Sequence, residues 1–135
     1  MTNQFVIEIH SFSFHLSGLP VDPSENHGGF VFDCRFLPNP GREPTFKDLT
    51  GKDKAVIEYL DKSQEVKKFL HHCYQMIDAA VSNYVERGFN HLMVSFGCTG
   101  GRHRSVYCAE QLASHLTEKG HKVILHHDQI EGNPV

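Results

Sequence analysis

The sequence predicts an α/β layered fold, a mostly parallel four-stranded sheet flanked by helices. Three observations lead there. Short apolar runs of strand length alternate with longer helical repeats, the order that builds parallel sheets through crossover connections. The second and third runs, Phe30-Val31-Phe32 and Leu92-Met93-Val94, are apolar at consecutive positions, as strands buried on both faces are. A glycine-rich turn, Gly97-Cys98-Thr99-Gly100-Gly101, leads from the third run into a helix. In open α/β sheets ligands gather at such carboxyl ends of strands.

Each element has its own signature. Phe5 to Ile9 alternates apolar and polar residues and the alternation returns at Phe12 and Phe14, which predicts the first strand. Residues 16–29 hold Pro20, Pro23 and three glycines and read as a loop. Gly29 to Arg35 is the second strand, with Asp33 and Arg35 on one side of its carboxyl end. Pro38, Pro40 and Gly41 then force a turn, and the chain stays irregular to Gly51. Ala55, Val56, Tyr59 and Leu60 place a short helix over about 53–61.

Ser63 is a suitable N-cap for a long helix. Its stripe is Val66, Phe69, Leu70, Cys73, Ile77, Ala80, Val81 and Tyr84, and Gly88 ends it. That stripe reads as core. A third strand is expected over Asn90–Phe96 and a helix over about 103–119, with Val106, Ala109, Ala113 and Leu116 on one face. The helix stops at Gly120, and Lys122–His127 is the fourth strand. From Asp128, or from about residue 129, the tail is expected to fray.

Size and composition narrow the function classes. At 135 residues the chain is expected to form one domain. A net charge of −3 argues against a strongly cationic nucleic-acid binder, though it leaves room for a local basic patch. No apolar run reaches the length of a membrane span. The first residues lack the features of a secretory signal, so the expected compartment is the cytoplasm. Cys34, Cys73, Cys98 and Cys108 are scattered rather than clustered, which suits free thiols in a reducing compartment and not a zinc framework. His71-His72 and His126-His127 are adjacent pairs whose side chains diverge, so they make no ready chelate and suit solvated or capping roles. Neither a metal nor a cofactor is expected.

The candidate site is the turn itself. A glycine-rich curl from a strand into a helix presents unpaired N–H groups at the positive end of a helix dipole. That geometry favours an anion, most often phosphate. Thr99 and Ser105 add hydroxyls, and Arg102 and Arg104 add guanidinium groups that fit phosphate oxygens. An ordinary strand-to-helix turn with surface arginines is the plainer reading of the same residues.

Three blocks carry a family resemblance. They are Phe32-Asp33-Cys34-Arg35-Phe36-Leu37-Pro38-Asn39-Pro40, then Leu49-Thr50-Gly51 with Asp53, then Gly97-Cys98-Thr99-Gly100-Gly101 with His103-Arg104-Ser105-Val106-Tyr107. With Ser11-Phe12 and Phe14 ahead of them, they resemble the C-terminal domain of the RNase adapter protein RapZ, from about Ser11 to Asp128. The family's N-terminal P-loop domain has no counterpart within these residues.

The resemblance implies a phosphofructokinase-like α/β fold. It also implies a pocket for an amino-sugar phosphate, glucosamine 6-phosphate, and in full-length relatives a role in presenting small regulatory RNA to a ribonuclease. It assigns the pocket to Asp33, Arg35 and Asn39 together with Thr99, Gly100, Gly101, His103, Arg104 and Ser105. In that assignment amides, Thr99 and Arg104 hold phosphate, and Asp33 accepts from an ammonium or hydroxyl. Two departures stand out. Gly41 occupies a position where the family commonly has His, and the tail from His127 to Val135 lacks the family's lysines and arginines. RNA is therefore the weaker of the implied partners, the sugar phosphate the stronger, and a protein partner stays open.

A competing chemistry uses the same residues. Cys98, five intervening residues, Arg104 and Ser105 also resemble the phosphate loop of cysteine-dependent phosphatases. There a thiolate attacks phosphorus, amides and Arg hold the equatorial oxygens, and an Asp protonates the leaving oxygen. Asp128 or Asp33 would be that acid. A small side chain packed under the loop is the plainer role for Cys98. RNA binding without metabolite sensing is the third reading.

Overall fold

A computed structural model describes residues 4–130. Its strands are β1 (Val6–Ser13), β2 (Phe30–Asp33), β3 (His91–Cys98) and β4 (Lys122–His127). Its helices are α1 (Lys54–Asp61), α2 (Gln64–Glu86) and α3 (Arg104–Glu118). Two single 3₁₀ turns, Pro40–Arg42 and Pro44–Phe46, punctuate the segment between β2 and α1. The sheet order is β2-β3-β1-β4 and every pairing is parallel.

The register decides which residues share a face. Ile7 lies opposite Leu92 and Val123, and Ile9 opposite Val94 and Leu125. These apolar side chains form one core with Val56 and Leu60 of α1, Val66, Leu70, Cys73, Ile77 and Val81 of α2, and Leu112 and Leu116 of α3. The other face carries Glu8, His10 and Phe12 of β1 beside Met93, Ser95 and Gly97 of β3. There the segment between β1 and β2 covers part of the sheet, and the Asn26 side-chain amide donates to the His91 carbonyl at 2.9 Å.

α2 behaves as its stripe requires, and its start is capped. Ser63 Oγ accepts from the Val66 N–H at 3.2 Å, and Gly88 takes φ +84° just past the end of the helix. Ser63→Ala is expected to cost about 1 kcal/mol of stability, read as a lower urea midpoint at unchanged slope.

Several local expectations are corrected. β2 is an edge strand, so its apolar start is not buried on both faces. Val31 is 50% exposed, while Phe30 and Phe32 pack against the core. β3 continues two residues past Phe96 and takes in Gly97 and Cys98. There they pair with Phe12 and Ser13 of β1, and Phe12 and Phe14 stack edge to face at 4.8 Å over position 97. A Cβ at position 97 would strike Phe12 and come within 2.6 Å of Phe14. His127 is neither solvated nor a cap: it is buried, facing Ser11 Oγ at 2.6 Å and Glu110 at 2.7 Å. Asp128, where fraying was expected to begin, sits in a turn through Ile130, its N–H donating to the Ser11 carbonyl at 2.9 Å. The rest of the tail lies outside the described residues.

All four cysteines are free and buried. Burial pushes the Cys34 thiol well up, with Cys108 beside it, and raises Cys73 to about 12. Among the described residues no group of His, Cys, Asp or Glu is arranged to hold a metal ion. No described helix is long and apolar enough to cross a membrane.

Candidate functional site

The glycine-rich turn is fastened to the fold through its carbonyls. Ser13 Oγ donates to the Thr99 carbonyl at 2.6 Å, and the Gly51 N–H donates to the Arg102 carbonyl at 2.8 Å. Gly101 takes φ +72°, and a Cβ there would come within 3.0 Å of Ser13 N and Phe12 C. Only glycine suits that point. The amides have the opposite fate. No described residue accepts a hydrogen bond from the backbone N–H groups of Thr99, Gly100, Gly101, Arg102, His103 or Arg104. His103, at the N-cap of α3, makes no side-chain capping bond.

The residues that carry these amides, Gly101 apart, border a cleft of ≈ 240 Å³. One wall is Cys98, Thr99, Gly100, Arg102, His103 and Arg104, and the other is Asn39, Gly41 and Lys47 from the segment after β2. Gly100 differs from Gly101. A Cβ on it would meet nothing within 4 Å, and its φ is not positive, so neither packing nor backbone conformation demands glycine there. It does leave the amides open to close approach.

Arg104 is 4% exposed. Its Nη1 donates to the carbonyls of Arg35 at 2.8 Å and Leu37 at 3.1 Å, which ties the exit of β2 to the start of α3. Its Nε is buried with no partner among the described residues. A buried guanidinium N–H without an acceptor is costly, and a bound anion beside it would relieve that cost.

His103 donates from Nε2 to the Phe46 carbonyl at 3.0 Å, which leaves Nδ1 with its lone pair. Burial pushes the pKa of this ring down. The bond to Phe46 opposes that, and Arg102 and Arg104 reinforce it. The ring is therefore neutral at pH 7 and an acceptor at Nδ1. A Cβ on Gly41 would lie 3.3 Å from that nitrogen, so position 41 borders the acceptor directly.

The other expected residues are placed as follows. Asn39 Oδ1 accepts from the Gly41 N–H at 2.9 Å, shaping the first 3₁₀ turn. Asp33 and Arg35 pair with each other at 2.7 Å, and Arg35 lies 3.9 Å over the Phe14 ring. They do not line the cleft. The Arg35 bond holds the Asp33 carboxyl below its usual range. Ser105 is buried, with its hydroxyl 3.1 Å from Cys98 Sγ. The cleft thus joins Cys98 and Arg104 but not Asp128, which is bonded to His10. Lys47 went unnoticed in the sequence. Its position between the first and second matching blocks was the available hint.

An α/β domain whose third strand turns through a glycine loop into a helix, with free amides over a small cleft, is the class of protein that fold and site define. The family model described as the RapZ C-terminal domain matches residues 5–131. The chain belongs to that family. Among its relatives is a "Nucleotide-binding protein" of Limosilactobacillus reuteri (strain DSM 20016), 43% identical over 129 residues, which are 96% of this chain and 42% of the relative. A protein of the same name from Clostridium kluyveri is 40% identical over 131 residues, covering 97% of this chain and 43% of the relative. Another from Fervidobacterium nodosum is 41% identical over 127 residues, with coverages of 94% and 43%. The chain therefore spans less than half the length of the relatives it matches. Membership supports a regulatory domain of the adapter type.

Proposed function

We propose that this domain binds a phosphorylated amino sugar of the glucosamine 6-phosphate kind in the cleft and reports its level to a protein or RNA partner. One observation carries the reading: the turn fastens its carbonyls to the fold and leaves its amides, from Thr99 to Arg104, without acceptors beside the cleft. Such a run of N–H groups at a helix start suits the oxygens of a phosphate. Arg104, whose Nε has no partner among the described residues, lines the cleft together with Lys47 and Arg102. The Nδ1 lone pair of His103 suits a sugar hydroxyl or ammonium donor.

Calorimetric titration tests this. Glucosamine 6-phosphate should bind, glucosamine without phosphate should not, and Lys47→Ala should weaken binding about tenfold, the loss of one charge-assisted contact. Equal binding of the sugar with and without phosphate would overturn the proposal. The partner is tested separately. A structured RNA should show a mobility shift that fades steeply with salt if RNA is the partner, and its absence would favour a protein.

A further inference from the structure

Away from the cleft, the second face of the sheet carries acids and imidazoles in alternation: Asp22, His91, Glu8, His10, Asp128. His91 Nδ1 lies 3.8 Å from Asp22, and His91 Nε2 lies 3.0 Å from Glu8 Oε1. His10 Nε2 is 2.7 Å from Glu8 Oε2, and its Nδ1 is 3.0 Å from Asp128 Oδ1. From β4, His126 packs its ring on that of His10 at 5.1 Å. From β3 the residue opposite His10 is the uncharged Ser95, and Lys122 stands farther along the face, opposite Val6.

His10 therefore has a carboxylate at each ring nitrogen. Only the imidazolium can donate to both. Asp128 begins the turn whose next residue, Gln129, packs against Gly101: a Cβ on Gly101 would lie 2.7 Å from Gln129 Cγ. A single residue thus separates the partner of His10 from the glycine that curls the cleft wall.

We infer that His10 is a pH-sensitive clasp on the cleft: charged, it holds Asp128 and so keeps Gln129 against the back of Gly101; neutral, it lets that turn go. The inference rests on the cleft being an anion site. Burial disfavours the charged ring, but its bonds to Asp128 and Glu8 outweigh burial and hold its pKa above the ordinary value. Glu8 is partly buried too, yet its bonds from His10 and His91 keep its pKa below the usual value. The clasp is therefore closed below the raised value of His10 and opens as pH rises through it. A neutral ring would turn a lone pair toward one carboxylate. His103 titrates on the other side of the ordinary histidine value, so it stays neutral while His10 loses its proton.

The test combines NMR titration with sulfate binding from pH 6.5 to 9, because sulfate stays a dianion throughout. In the wild type the Gln129 and Gly101 amide shifts should follow the His10 ring. Sulfate affinity should fall about fivefold across the range, the low end of ordinary coupling between sites. His10→Gln and, independently, Asp128→Asn should flatten both curves. Amides at Gln129 and Gly101 that ignore the His10 titration would overturn the clasp, as would an equal pH dependence in wild type and both variants. If sulfate bound at no pH, the anion reading would fall, and the amide titration alone would decide whether the clasp exists.

Discussion

Gly100→Val is expected to leave the free domain as stable as the wild type while erasing its response to glucosamine 6-phosphate. The added carbon at position 100 meets no atom within 4 Å, and the backbone there is not left-handed. An open position of this kind changes stability by about 0.5 kcal/mol at most, or about 2 °C. The wild type at a ligand concentration of a hundred times Kd gains about 2.7 kcal/mol, which in a domain of this size is a rise of about 8–10 °C. The valine side chain would stand over amides that a phosphate must approach closely, so the rise should vanish. Differential scanning calorimetry with and without ligand gives both numbers in one experiment. A full ligand shift in the variant would mean that the anion, if bound, sits elsewhere.

That pairing of unchanged stability with lost binding is informative because most glycines of this domain behave otherwise. Gly97 and Gly101 are glycines because rings and backbone fill the space a side chain would take. In the sequence all three look alike. The turn was legible as a strand-to-helix curl with anion chemistry, but not which glycine serves packing and which faces the cleft. That distinction depends on Phe12, Ser13 and Gln129, residues far away in the chain.

The same limit explains the rest of what sequence could and could not give. α2 and β4 follow from periodicity, a property of neighbours along the chain. The edge position of β2 does not, because strand order is set by crossovers that local pattern leaves undetermined. The family resemblance assigns Asp33 and Arg35 to the pocket, and in this structure their side chains close on each other across two residues. A charged pair at that spacing satisfies itself locally, and nothing local says which way it faces. Ser11, His127 and Glu110 form a polar line from β1 through β4 to α3, buried at its first two members. It depends on pairing Ser11 with His127 in register, which the sequence leaves open. Ser11 is fully buried, so this line braces the carboxyl end of the sheet and presents no nucleophile to a substrate.

Gly51→Val should do the reverse of Gly100→Val and strike stability and binding together. Gly51 donates to the Arg102 carbonyl at 2.8 Å, so its backbone lies directly on the first turn of α3. A Cβ there would fall on the His103 carbonyl oxygen, lie 2.5 Å from Tyr107 N and 2.9 Å from Val106 Cβ. The first two are backbone atoms of a helix start, and the Tyr107 N–H already donates to that same His103 carbonyl at 2.9 Å. Nothing flexible can give way, so the segment carrying Thr50 and Gly51 must lift off. Overpacking of this kind costs about 3 kcal/mol, a drop of about 10 °C in a domain of this size. Lifting that segment also moves Phe46, whose carbonyl fixes the His103 ring, and Lys47 on the opposite wall. Ligand affinity should therefore fall at least about tenfold, since misplacing two contacts of about 1 kcal/mol each exceeds that factor. Gly51→Ala should show the same pair of losses in smaller measure. If the alanine variant melted with the wild type and bound ligand normally, the close seating of this segment on α3 would be refuted, and with it the account of how the middle block of the family pattern shapes the cleft.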